Sequence, residues 1–195
     1  MEKEHWRNAI KEEFSDMIRQ SIWRQAKRNQ ILSDRCLIGN KWVFKKKKDG
    51  VYRARLVGLG YSQVPGINHK DNFSPVINKV TFRCVMVLTL QNNWVGQIVD
   101  VVTVFLYGDL DKLIFVTIPE GLDTYLDTEF SSEDCVILDK SIYGLVQASC
   151  QFHQKLISKM TKNIGFHKCL SDKCLLFRNT EDGIIIVCIY IDDTC

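Results

Sequence analysis

The sequence predicts an α+β fold built on an antiparallel sheet, and three observations lead there. Strand-like and helical runs alternate irregularly, which argues against a doubly wound α/β sheet. Asp49-Gly50 stands between two strand-like runs, a strong hairpin signal in the first third of the chain. Neither a Gly-x-Gly-x-x-Gly nor a P-loop pattern is present to support a dinucleotide or nucleoside-triphosphatase reading. With 195 residues, 46% of them hydrophobic, the chain reads as one globular unit. A chain of that size buries about two-thirds to three-quarters of its extended surface, enough for a core without staples.

Taken in order, Trp6, Ile10, Phe14, Met17 and Ile18 recur at helical spacing among charged residues and predict an amphipathic opening helix. A polar connector over 24–34 follows. The runs on either side of Asp49-Gly50, spanning Lys41 to Val57, predict paired strands, and alternation puts Arg53 and Arg55 on one face with Tyr52, Ala54 and Leu56 on the other. Two guanidinium groups side by side on a rigid strand make a phosphate clamp. Gly58, Gly60, Pro65, Gly66 and Pro75 mark a loop-rich middle. The stretch 80–91 is ambiguous: its β-branched residues favour a strand, while its length and a cap at Asn78 favour a helix. Gln97-Ile98-Val99 predicts a short apolar strand leading to Asp100, with further strands over 113–118, 135–138, 174–177 and 184–191. Phe152, Leu156, Met160 and Ile164 predict a helix over 148–164 that Gly165 stops.

Charge is unevenly distributed. Residues 1–60 carry 15 Lys and Arg against 7 Asp and Glu, net +8, and residues 61–195 carry 11 against 16, net −5. A basic lobe beside an acidic one suggests a polyanion on the first and cations or carboxylate chemistry on the second. The longest apolar run, Ile184 to Ile191, falls far short of the roughly 20 residues of a membrane helix. The charged N-terminus has no secretory core, so an intracellular location, cytoplasmic or nuclear, and no membrane partner are expected. Eight cysteines without any Cys-x-x-Cys then read as reduced, mostly buried thiols. His167, Cys169 and Cys174, with His153, are the nearest approach to a zinc cluster, but their spacing matches no usual finger or ribbon and packing is the preferred reading.

The chemistry lies in carboxylates at strand ends. Tyr190-Ile-Asp-Asp193 directly follows the apolar run, where buried carboxylates are costly unless cations compensate them. Asp100 stands in the same relation to its own short strand. If those strands are neighbours, Asp100, Asp192 and Asp193 meet and hold two divalent ions, the standard device for phosphoryl transfer. Magnesium suits such a site. The alternative is a pair of turn residues after a core strand.

Several motifs bear on this choice. Residues 98–110, Ile-Val-Asp-Val-Val-Thr-Val-Phe-Leu-Tyr-Gly-Asp-Leu, resemble the first carboxylate motif of reverse transcriptases, and Tyr190-Ile-Asp-Asp193 resembles their Tyr-x-Asp-Asp hairpin. Lys41-Trp-Val-Phe-Lys45, Arg53-Ala-Arg-Leu-Val57, Gly60-Tyr-Ser-Gln-Val-Pro-Gly66, Phe73-Ser-Pro-Val76, Pro119-Glu-Gly121 and Ser141 to Ser149 occur in the order and spacing of one family. Together they resemble the reverse transcriptase domain of copia-type retrotransposon Pol polyproteins, from about Trp6 to Asp193. The resemblance implies the fingers and palm of a right-hand polymerase, with an antiparallel palm sheet, packed helices and no thumb. Residues 1–95 and 113–145 would be mainly fingers, 96–112 and 146–195 mainly partial palm. It implies RNA-directed DNA polymerase activity with two Mg²⁺ ions, or Mn²⁺, held by catalytic Asp100, Asp192 and Asp193. Arg53, Arg55, Phe105 and Gln147 would bind the nucleotide, Phe105 by excluding a 2′-hydroxyl. Gly144, Leu145 and Tyr190 would face template and primer. The partners implied are an RNA template, a DNA primer, deoxynucleoside triphosphates and the rest of the polyprotein.

The chain also departs from the family. Leu59, Val102 and Val146 stand where Lys is usual, Tyr107 where Asn is usual and Cys150 where Arg is usual. Such changes weaken phosphate contacts. The chain ends two residues after Asp193, before the return strand that the resemblance implies, so a truncated domain of impaired activity is expected. A different class of function, a non-enzymatic nucleic-acid-binding remnant using only the basic lobe, would show salt-sensitive RNA binding independent of the three aspartates.

Overall fold

The structure is a computed structural model that describes residues 2–31, 36–66, 74–100 and 108–190. Helix α1, Glu2–Arg19, opens the chain with Glu2 and Glu4 in its first turn and Arg19 in its last, the order that suits its dipole. It buries Ala9, Glu13, Phe14 and Met17, while Ile18 is left partly in solvent. Its end is a Schellman motif: Ser21 takes a left-handed conformation, φ 52°, the Ile22 amide donates to the Met17 carbonyl and the Ser21 amide to that of Ile18.

Strand β1, Trp23–Lys27, occupies part of the stretch expected to be a polar connector. Only Ala26 is buried along it, so side-chain alternation gives no signal. What makes it a strand is its pairing with β6, Asp134–Lys140, from Trp23 opposite Leu138 to Lys27 opposite Asp134. A polar edge strand of this kind resists pairing with other chains. Beyond β6 lies β5, Asp109–Thr117, and then β2, Leu37–Ile38, giving the order β1-β6-β5-β2. The β2–β5 pair is parallel, so this sheet is mixed rather than purely antiparallel. Ile114, Phe115 and Val116 are all buried, as a strand covered on both faces requires.

The expected hairpin forms from β3, Asn40–Lys46, and β4, Tyr52–Gly58. The ambiguous stretch is helix α2, Lys79–Gln91, and the Asn78 side chain accepts the Val80 amide at 2.8 Å as its N-cap. A short helix α3, Leu122–Leu126, leads toward β6. Helix α4, Ala148–Lys162, buries Cys150, Phe152, His153 and Ile157, and Gly165 turns the chain at φ 81°. Ile164 lies past its end and is exposed. A third sheet follows, β7 His167–Lys168, β8 Leu175–Thr180 and β9 Gly183–Cys188, all antiparallel. The two apolar runs expected as separate strands thus face each other across a turn at Glu181-Asp182.

Among the described residues the larger apolar core joins α1, the three sheets and α4 through Met17, Leu56, Ile114, Leu138, Phe152 and Leu176. The short strand expected before Asp100 is absent. Residues 94–100 have no regular structure, and Ile98 and Val99 lie in solvent, so no apolar packing supports a strand there. Asp192, Asp193 and Phe105 lie outside the described residues.

Candidate functional site

Register makes the β3–β4 hairpin two-faced, because residues directly opposite one another in an antiparallel pair project to the same side. Trp42 opposite Leu56, Phe44 opposite Ala54 and Lys46 opposite Tyr52 form one face; Lys41 opposite Val57, Val43 opposite Arg55 and Lys45 opposite Arg53 form the other. The first face is aromatic and lies on α1. Trp6 meets Phe44 and Tyr52 edge-on at 5.3 and 4.6 Å, and Trp42 meets Phe14 at 5.1 Å. Lys46 belongs to this side: its Nζ stands 4.5 Å from the Tyr52 ring centroid and 3.3 Å from Glu2. The basic face therefore comprises Lys41, Lys45, Arg53 and Arg55. Both lysines are exposed, and both arginines are half-buried.

The C-terminal end of β4 is clamped to the loop that precedes α4. Val57 bridges Tyr143 in parallel, and the Gly58 amide donates to the Tyr143 carbonyl at 2.8 Å. The Arg55 guanidinium lies 4.7 Å from the Tyr143 ring centroid. Two glycines allow the backbones to touch. A Cβ on Gly60 would stand 2.2 Å from the Gly144 carbonyl oxygen, and one on Gly144, at φ 81°, would stand 2.4 Å from the Gly58 oxygen. Gln63 then locks the loop: its Oε1 accepts the Val146 amide at 2.8 Å and its Nε2 donates to Gln147 Oε1 at 2.9 Å. Gln63, Leu145 and Gln147 are buried, so Gln147 is engaged inside the loop rather than presented to solvent.

Gly108 docks on the start of α4, where a Cβ would lie 2.9 Å from Gln151 Cβ, and its carbonyl accepts the Ser141 amide at 2.8 Å. Asp100 is exposed and outside any strand, and the expected meeting with Asp192 and Asp193 falls outside the described residues. Tyr190 is largely exposed and lines a cavity of about 310 Å³ with Ile77, Lys79, Phe82, Arg83 and Cys188. Among the described residues no group of three or more His, Cys, Asp or Glu stands ready to hold a metal ion. His153 and Cys174 pack against each other, Nε2 to Sγ 3.7 Å, with the thiol 3.2 Å from the Pro75 carbonyl oxygen. Burial pushes that thiol up to about 11 and the imidazole down. The His167 ring packs on Phe177 instead.

Residues 23–195 match the family model described as Reverse transcriptase (RNA-dependent DNA polymerase). The retrovirus-related Pol polyprotein from transposon TNT 1-94 of Nicotiana tabacum is 38% identical over 159 residues, which cover 78% of this chain and 12% of that protein. The chain belongs to the reverse transcriptases of copia-type retrotransposons. The retrovirus-related Pol polyprotein from transposon RE1 of Arabidopsis thaliana is 31% identical, covering 99% of this chain and 13% of the relative. The truncated transposon Ty1-A Gag-Pol polyprotein of Saccharomyces cerevisiae is 25% identical over 98% of this chain and 15% of its own length. The chain thus spans about an eighth of the length of the first two curated relatives. No solved structure matches.

Two positions in this reverse transcriptase domain escaped sequence reasoning. Gln63 is coupled to Gln147 across 84 residues, a separation that leaves no local signal. Glu13 did leave one, since it falls on the buried stripe Ala9, Phe14, Met17. Its Oε1 accepts the Leu56 amide at 3.2 Å. Burial pushes its carboxyl up to about 7, against the hydrogen bond from Leu56 and the charges of Arg55 and Arg53.

Proposed function

We propose that this domain carries RNA-directed DNA polymerase chemistry, adding a deoxynucleotide to a DNA primer on an RNA template, inside the cell and as part of a Pol polyprotein. The primer 3′-hydroxyl attacks the α-phosphate, a new P–O bond forms and pyrophosphate leaves. Arg53 and Arg55 hold the β- and γ-phosphates, where the leaving group's charge develops and fixed cations stabilise it most. Phe105 packs beneath the sugar and excludes a 2′-hydroxyl. Gly144 and Leu145 form the floor under template and incoming base, Gln147 braces that floor from within, and Tyr190 faces the primer terminus. In this reading 1–95 and 113–145 are mainly fingers, and 96–112 with 146–195 mainly partial palm.

Asp100, Asp192 and Asp193 would hold the divalent ions. An all-carboxylate donor set suits magnesium, and the exposed Asp100 is open to a hydrated ion. Such ions supply charge neutralisation at the attacking and leaving oxygens. Among the described residues no helix is long and apolar enough to cross a membrane.

The observation that carries this reading is the clamp of the arginine-bearing strand onto the Tyr143–Gln147 loop, which sets a basic face beside a close backbone floor. Primer extension on an RNA template, measured in a Pol polyprotein carrying this segment, tests it. Asp192→Asn is expected to abolish extension, and Arg55→Ala to lower kcat/KM for the nucleotide by about a hundredfold. Full extension by Asp192→Asn overturns the catalytic assignment.

A further inference from the structure

The edge of β4 that faces away from β3 offers its amides at alternate residues. Two of them are accounted for by groups outside the sheet. The Gly58 amide goes to the Tyr143 carbonyl, and the Leu56 amide goes to the Glu13 carboxylate on α1. Arg55 immediately precedes the first of these anchored amides and Arg53 lies two residues further back, so the path of both arginines depends on that edge. Glu13 is 8% exposed, which leaves its carboxylate shielded from water and sensitive to neighbouring charge.

We propose that Glu13 is a positioning residue for the arginine pair: its buried carboxylate fixes the edge of the strand that carries Arg53 and Arg55, and a phosphate chain bound to those arginines draws a proton onto it. This rests on the reading of Arg53 and Arg55 as triphosphate ligands.

The charges around Glu13 give the direction of the effect. From β4, Arg55 and Arg53 favour its ionised form, and from its own helix Asp16 opposes it. β3 adds Lys41 and Lys45 on the arginine face and Lys46 on the aromatic face, where Glu2 engages it. α3, which also packs on α1, carries Asp123 and sets Tyr125 against Phe14. A bound triphosphate offsets the arginines, so the ionised carboxylate loses their support and its proton affinity rises. By reciprocity nucleotide binding weakens as the pH rises through neutrality.

The test is binding of deoxythymidine triphosphate to the full chain between about pH 6 and about pH 8.5, with amide exchange followed at Leu56. Wild type, Glu13→Gln, Glu13→Leu and Arg55→Ala are compared. The wild-type affinity is expected to fall across this range about threefold further than that of Glu13→Gln, the factor for half a pKa unit of coupling. Titration of the γ-phosphate is common to both. Exchange at Leu56 is expected to stay near wild type in Glu13→Gln, which keeps the acceptor, and to quicken about tenfold in Glu13→Leu, as for one lost hydrogen bond. Equal pH dependence in wild type and Glu13→Gln overturns the proton linkage, and this comparison decides even where Glu13→Leu does not fold. Unchanged Leu56 exchange in Glu13→Leu overturns the positioning role. Wild-type affinity in Arg55→Ala overturns the triphosphate reading and the linkage with it, while Leu56 exchange still judges Glu13 separately.

Discussion

Gly144 admits no side chain for two separate reasons, its φ of 81° and the Gly58 oxygen and Val57 Cγ1 that stand 2.4 Å from where a Cβ would be. Gly144→Ala is expected to destabilise the protein by at least about 1–3 kcal/mol from the backbone strain alone, read from denaturant unfolding. It also separates β4 from the loop, so nucleotide KM rises with it. Asp134 is a second residue with a clear consequence. Its side chain is held by Lys27 Nζ at 2.8 Å and by the Ser131 amide and hydroxyl at 2.7 and 2.8 Å, and these interactions, the Lys27 contact first, hold its carboxyl well below the ordinary 3.8. A carboxylate depressed on folding contributes stability that is fully present above its unfolded value and is lost as the pH falls below it. The gap in Tm between wild type and Asp134→Asn is therefore expected to be wide at neutral pH and to narrow below about pH 4. A constant gap would show that the ionised form contributes nothing.

At the scale of elements, the hairpin was legible because two independent signals coincided. Asp49-Gly50 specifies the turn, with Gly50 at φ 85°, and period-two alternation specifies which face holds the arginines. Helix α2 was half-legible: Val80, Val85 and Val87 resemble strand residues, and only the Asn78 cap and the length pointed to the helix. β1 was not legible. Its residues are polar on both faces, and it is a strand only because β6 supplies its partner. The candidate site divides the same way. Arg53 and Arg55 follow from local alternation, Glu13 from its place on a buried helical stripe, and the Gln63–Gln147 lock from nothing local at all. The run Lys45 to Lys48 looked uniform in sequence, but the fold separates its members. Neutralising Lys41 and Lys45 together, the exposed lysines of the basic face, is expected to reduce the slope of log K against log salt for single-stranded RNA by about 1.4, two phosphate contacts' worth. Lys46→Ala, whose charge is engaged by Glu2 and Tyr52, should leave that slope unchanged.

At the scale of the whole molecule, the three sheets of different strand number among the described residues share an apolar core, which reaches from Met17 and Leu56 through Ile114 and Leu138 to Leu176 and Ile189. Sequence patterning located most of these residues but not their grouping, because which strands pair depends on contacts far apart in the chain. A shared core implies one cooperative transition. Leu56→Ala in the hairpin and Leu176→Ala in the third sheet should each lower stability by about 2–5 kcal/mol and shift the same single transition, with near- and far-ultraviolet circular dichroism changing together. Two separated transitions would mean that the sheets fold independently. The aromatic side of the hairpin also endows the molecule with an optical gauge. Of its four tryptophans, Trp6 and Trp42 stand in the cluster between α1 and the hairpin, Trp23 meets Phe14 of α1 from β1, and Trp94 lies elsewhere. Emission is therefore governed by whether the hairpin rests on its helix. Phosphates arriving on the opposite, basic side leave this ring packing as it is, whereas any lifting of the hairpin uncovers Trp6 and Trp42 together and shifts the spectrum to the red, so occupancy and motion can be told apart without a label.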